Sequence, residues 1–155
     1  MIKKILVATD FSADADRALT VAIEMAERND GQIEIVHASQ PGDYVLPPPF
    51  DIVSLGPDTR ALQHAEGALA SRAALVRKAG VAVSTLLLTG VPHEGIVARA
   101  QDSQADLVVV GSRGHTGLAH VLVGSVAERV VRHAPCPILV VPHPAARGGR
   151  VAEAG

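Results

Sequence analysis

Apolar residues along this chain fall into two alternating rhythms. Ile2 to Ala8 (IKKILVA) is a short run rich in branched residues, the pattern of a strand buried on both faces. Asp10 to Ser12 reads as a turn. Ala15, Ala18, Leu19, Ala22, Ile23 and Ala26 then recur at helical spacing, and Asn29-Asp30-Gly31 stops the helix. Gln32 to Ala38 predicts a second strand. Residues 39–57 carry Pro41, Pro47, Pro48, Pro49 and Pro57 and read as a long connection without regular structure. Leu62, Ala65, Leu69, Ala73 and Val76 restore the helical rhythm up to Gly80. Val81 to Leu88, Leu107 to Val110 and Pro137 to Val141 predict three more strands. Between them Pro92 opens a helix through Ala100, with Ile96, Val97 and Ala100 inward. Another helix runs from about Val126 to His133. The segment 143–155, rich in Ala, Gly, Arg and Pro, reads as a disordered tail behind one domain over 1–142.

The order is strand-helix repeated, closing on a fifth strand. Such alternation predicts an α/β fold, a mostly parallel doubly wound sheet with helices on both faces. Ligands of these sheets sit beyond the carboxyl ends of the strands, where strand order switches. Two exits are unusual in composition: Ala8-Thr9-Asp10 after the first strand and Gly111-Ser112-Arg113-Gly114 after the fourth.

Composition narrows the function. With 48% hydrophobic and 19% charged residues, the 155-residue chain is globular in character. Sixteen acids against fourteen bases argue against a general nucleic-acid binder. Two Phe, one Tyr and no Trp leave little to stack on single-stranded bases. One cysteine makes no intramolecular disulfide, which favours a reducing compartment. The opening apolar run is too short for a signal peptide and no run approaches a membrane span. A cytoplasmic protein without membrane or nucleic-acid partners is expected.

Chemistry concentrates in VGSRGHTGLAHVLVGSV, residues 110–126. Glycines 111 and 114 permit positive φ and close approach of backbone to a ligand. Gly124-Ser125 opens a helix whose first N–H groups lack internal partners and favour an anion. Arg113 and His115 could add donors, a combination suited to phosphates. The same residues fit a bland alternative: Ser125 as N-cap and Glu128 three residues on form a capping box, with glycines that only make turns.

The spacing Gly111-x2-Gly114-x9-Gly124-Ser125 resembles the nucleotide-binding signature of the universal stress protein family, in its ATP-binding type. ILVATDFS resembles that family's first strand and acidic turn. GVPHEGIVARAQDSQADLVVVGSRG resembles its third helix and fourth strand, and APCPILVVP its closing strand, so the likeness spans residues 1–142. It implies a five-stranded sheet of order 3-2-1-4-5, a Rossmann-like nucleotide-hydrolase-like fold. It also implies an ATP site. Ala8, Thr9 and Asp10 would line adenine and ribose. Val36 and Ala38 would touch adenine through backbone, with Gly90 nearby. Gly111, Arg113, Gly114 and His115 would follow the ribose and phosphates. Gly124, Ser125 and Val126 would hold the phosphates. Asp10 is the candidate ligand for an accompanying Mg2+. A homodimer through Pro137 to Val141 is implied as well, since an apolar edge strand calls for a partner.

Other motifs fail. Gly90 to Gly95 has P-loop glycine spacing, but Ile96-Val97 stand where Lys and Ser/Thr are needed. His93-Glu94 belongs to no H-E-x-x-H, and no G-x-S-x-G elbow occurs. His115 and His120 are five apart in a loop, poor spacing for a metal pair. His37 reads as a packed or exit-lining residue, and Cys136, between two prolines, as a buried thiol without an activating base. The expected function is a nucleotide-linked regulator of the stress response. Alternatives are a sensor of AMP or cyclic AMP, and slow ATP hydrolysis or self-phosphorylation at Ser112, Thr116 or Ser125. An α-phosphate ligase would carry a signature after the first strand that ATDFSADAD lacks.

Overall fold

The computed structural model describes residues 1–39, 43–45, 52–54, 58–113 and 123–144. Its elements in chain order are β1 (Lys4–Ala8), α1 (Ala13–Asn29), β2 (Gln32–Ser39), β3 (Asp43–Val45), β4 (Ile52–Ser54), α2 (Thr59–Lys78), β5 (Ala82–Thr89), α3 (Pro92–Asp102), β6 (Leu107–Gly111), α4 (Ser125–His133) and β7 (Ile138–Val141). Five strands form one sheet in the order β5-β2-β1-β6-β7, with every pairing parallel. Counting sheet strands alone, this is the order 3-2-1-4-5.

Side chains alternate across each central strand and build two cores. Ile5, Val7, Ile33, Ile35, Leu107 and Val109 pack with Ala18, Leu19 and Ala22 of α1 and with Leu69 and Val76 of α2. Leu6, Val36, Val108 and Val110 face the other way, onto Ile96 and Ala100 of α3 and Ala127 and Val130 of α4. Burial on both faces explains why the strands read as unbroken apolar runs. The helix stops are local. Asp30 takes the left-handed conformation at φ 50°, and the Gly31 N–H closes on the Ala26 carbonyl. Pro92 sits in the first turn of α3.

The connection at 39–57 departs from expectation. It contains a two-stranded antiparallel ladder, β3 on β4, pairing Asp43 with Ser54, Tyr44 with Val53 and Val45 with Ile52. The triplets Asp-Tyr-Val and Ile-Val-Ser are β-prone, but three residues are too few to display alternation beside a proline-rich run. His143 also departs from the disordered-tail reading. Its backbone N–H donates to Ser112 Oγ at 3.0 Å and its Nδ1 lies 2.7 Å from Asp14 Oδ1. Residues 145–155 lie outside the described residues.

Candidate functional site

The chain leaves β1 towards β2 on one side and returns through β6 on the other, so the exits of β1 and β6 diverge. A cavity of about 350 Å3 opens there. Ala8, Thr9 and Asp10 come from the first exit, and Gly111, Ser112 and Arg113 from the second. Val36 and Ala38 of β2 form one apolar wall, and Gly124, Ser125 and Val126 bring in the start of α4. Of the residues expected here, Gly90 is the described one that does not line the cavity; it stands at the β5 exit, φ 119°, donating to the Ser39 carbonyl. Gly114, His115, Thr116 and His120 lie outside the described residues. Ala15, Pro92, Ile96, Val110 and Ala127 line it without having been anticipated. The sequence had placed Ala15, Ile96 and Val110 by periodicity and Pro92 as the first turn of a helix, none of them as lining.

Two local readings need correction. Gly124, not Ser125, is the N-cap of α4, and among the described residues no side chain caps this helix; Ser125 is its first residue. The capping box does not form, because Ser125 is already helical and cannot accept from the third turn position as an N-cap does. The first-turn N–H groups of α4 therefore meet the cavity without a side-chain cap, where the positive end of the helix dipole favours an anion. Gly111 is a strand residue without positive φ. It is glycine because a Cβ there would lie 2.9 Å from the Asp14 carbonyl carbon and oxygen and 3.0 Å from the Ala15 nitrogen. The backbone it admits is that of α1, not a ligand's.

The wall behind the second exit is tied to α1. Ser112, 3% exposed, donates its N–H to the Val141 carbonyl, and its Oγ accepts from His143. Asp14, 6% exposed, meets His143 through Oδ1 and keeps Oδ2 buried, with no hydrogen-bond partner among the described residues. Ser112 is thus a buried structural hydroxyl. Ser125 is exposed at the cavity.

The first exit is held as tightly. The Thr9 N–H donates to the Val36 carbonyl at 2.9 Å, and Thr9 Oγ1 accepts from the Phe11 N–H at 3.0 Å. Asp10 Oδ1 accepts from the Ser12 N–H, and Ser12 Oγ caps α1 by accepting from Ala15. Phe11 is left-handed at φ 66°, costing about 1–2 kcal/mol in a residue with a Cβ. His37 is a packed exit residue: its Nδ1 lies 2.8 Å from the Thr9 carbonyl, so that nitrogen carries the donated proton. Cys136 is half-buried rather than buried. Burial, then the charge of Asp106, pushes its thiol up from its ordinary range, which keeps it a poor nucleophile.

An open parallel sheet with a cavity at the diverging exits of β1 and β6 and a helix N-terminus facing it is a doubly wound α/β domain with its crevice at the switch in strand order. The universal stress protein family model matches residues 1–142. A universal stress protein of Thermus aquaticus is 39% identical over 142 residues, covering 91% of this chain and 99% of that one. The structure of UspA from Lactobacillus plantarum superposes with a TM-score of 0.77 at 29% identity, covering 90% of this chain and 97% of that chain. A universal stress protein of Archaeoglobus fulgidus, solved in complex with dAMP, shares the fold at TM-score 0.68 and 24% identity, with coverage of 91% and 98%. The chain belongs to the universal stress protein family. No helix among the described residues is long and apolar enough to cross a membrane.

Proposed function

We propose that this chain binds ATP in the exit cavity and acts as a nucleotide-linked regulator of the stress response. The observation that carries this reading is the uncapped start of α4, which meets the diverging exits of β1 and β6 in one cavity. Val36, Ala38 and Ile96 offer an apolar slot for the flat base, and Asp10 a carboxylate for the ribose. The N–H groups of Ser125 and Val126 and the cation of Arg113 suit phosphates. Gly114 and His115 belong to the same proposal through the glycine spacing. Among the described residues no group of three or more His, Cys, Asp or Glu is assembled for a metal. A magnesium ion would then be carried chiefly by phosphate oxygens, with Asp10 as the protein carboxylate. ATP would bias the arrangement of the 111–126 segment, and protein partners would read that surface through linkage.

Among the described residues β7 has one neighbour in the sheet, β6, and a homodimer through its outer edge is part of the proposal. The single cysteine supports a reducing, cytoplasmic setting. A second reading, a sensor of an adenine monophosphate, is favoured by the dAMP complex above and by a universal stress protein of this fold solved with cAMP. The decisive experiment is mass spectrometry of nucleotide released from freshly purified, denatured protein. Calorimetric titration of the stripped protein with ATP, ADP, AMP and cyclic AMP follows. Bound ATP with weaker AMP is expected. Tighter AMP or cyclic AMP supports the second reading, and no binding from folded protein ends both.

A further inference from the structure

The Thr9–Phe11 turn that forms one side of the cavity is gripped from the opposite face of the sheet by three side chains from three elements. Val36 and Ala38 of β2 point into the cavity, whereas His37 between them alternates to the α1/α2 side. There its ring stacks on Phe11, centroids 4.3 Å apart at 27°, while its Nδ1–H holds the Thr9 carbonyl. The Arg72 guanidinium, from α2, covers the Phe11 ring at 4.8 Å. Arg72 Nη2 donates to the Phe11 carbonyl at 3.3 Å. Its fork is held in turn by Asp16 of α1, with Nε to Oδ1 at 2.7 Å and Nη2 to Oδ2 at 3.1 Å. The residue so enclosed is Phe11, in the left-handed conformation that L side chains avoid. A turn that resists its own conformation needs an external restraint, and this stack is that restraint.

We propose that Arg72 is a positioning residue for the nucleotide site: through Phe11 it fixes the turn that presents Thr9 and Asp10 to the cavity. The inference rests on the nucleotide-binding reading, and Arg72 itself does not line the cavity. Lysine could keep the charge opposite Asp16, but it lacks the planar face that lies on Phe11 and the fork that reaches two acceptors at once. If Arg72 only stabilised the fold, its loss would lower the melting temperature and leave the affinity of the folded protein unchanged.

The test compares the full chain with Arg72→Gln, Arg72→Lys and the double variant Arg72→Gln/Phe11→Gly. One readout needs no ligand: hydrogen exchange at the Phe11 and Ser12 amides, whose acceptors are Thr9 Oγ1 and Asp10 Oδ1. The other is calorimetric affinity for ATP and AMP. Arg72→Gln should speed exchange at these two amides while core amides such as Val7 stay protected. It should weaken nucleotide binding by about tenfold, the scale of one left-handed residue released. Arg72→Lys should fall between, and Phe11→Gly, which removes the conformational penalty, should restore affinity in the Arg72→Gln background. Unchanged exchange, or faster exchange with undiminished affinity, overturns the proposal. A wild-type chain that binds neither nucleotide overturns the reading it rests on, and the exchange result then still decides whether Arg72 holds the turn.

Discussion

The two ends of the sheet carry cavities of comparable size and opposite character. At the amino end about 250 Å3 is bounded by Lys4, Glu34, Ser84, Arg99 and Ser103. Its charged side chains are taken up by partners within the fold. Arg99 forks onto Glu34 at 2.7 and 2.9 Å, a bond that also raises the guanidinium pKa. Lys4 Nζ reaches the Ser103 carbonyl, and Asp106 Oδ2 nearby accepts the N–H groups of Lys3 and Lys4 at 2.9 and 2.8 Å. At the carboxyl end the walls are small and mostly uncharged, and the donors are backbone N–H groups at an uncapped helix start. A cavity rich in charge is not thereby a ligand site. A ligand is drawn to donors that the fold has left without partners, because binding there replaces water without breaking an internal pair.

The largest effect that separates the two ends concerns Gly111. If it is glycine to admit α1, Gly111→Ala should cost about 2–3 kcal/mol in urea denaturation, since backbone atoms and not a flexible side chain occupy the Cβ position. Full stability with lost nucleotide binding would instead assign that glycine to the ligand. Next comes Gly124→Asp. A carboxylate at the N-cap should hold or slightly raise stability while weakening ATP by about tenfold, because it takes the N–H groups and repels phosphate. Retained affinity in calorimetry would remove α4 from the site.

At the amino end, Glu34→Gln should lower stability by about 1 kcal/mol and leave nucleotide affinity untouched, since Arg99 there serves the fold alone. The smallest effect is electrostatic. N–H donation from Lys4, then Lys3, lowers the pKa of Asp106. A carboxylate whose folded pKa is depressed contributes stability above its unfolded value and loses it as pH falls through the folded one. The margin of wild type over Asp106→Asn should therefore be complete above the ordinary value of about 3.9 and shrink below it, as melting curves from pH 7 to pH 3 would show. A margin constant with pH would mean that folding does not depress the Asp106 pKa.

Periodicity in the sequence found the five sheet strands and the four helices within a few residues, because burial on one face or both leaves a repeating signature. Composition flagged two strand exits that line the cavity, and the family resemblance, not periodicity, named the other expected lining residues. The exits of β1 and β6 announce themselves by glycine, aspartate and arginine after apolar runs, and the family resemblance supplied the strand order that brings them together. It missed β3 and β4, whose triplets are shorter than any period. It put the N-cap of α4 one residue late, because Ser125 and Glu128 satisfy the capping-box pattern while the backbone makes Gly124 the cap. It read Gly111 for its freedom, when the constraint comes from Asp14 and Ala15, nearly a hundred residues away in the chain.

What the sequence determined by itself is therefore the alternation, the two apolar faces of each strand and the places where chain chemistry changes at a strand exit. These are properties of neighbours along the chain. Only the tertiary structure decided that His143 meets Asp14 and that Arg72 closes over Phe11. Those pairings join residues separated by 129 positions for His143 and Asp14 and 61 for Arg72 and Phe11. No local pattern encodes them, since they exist only once the sheet has set its order and the helices have been laid across its faces.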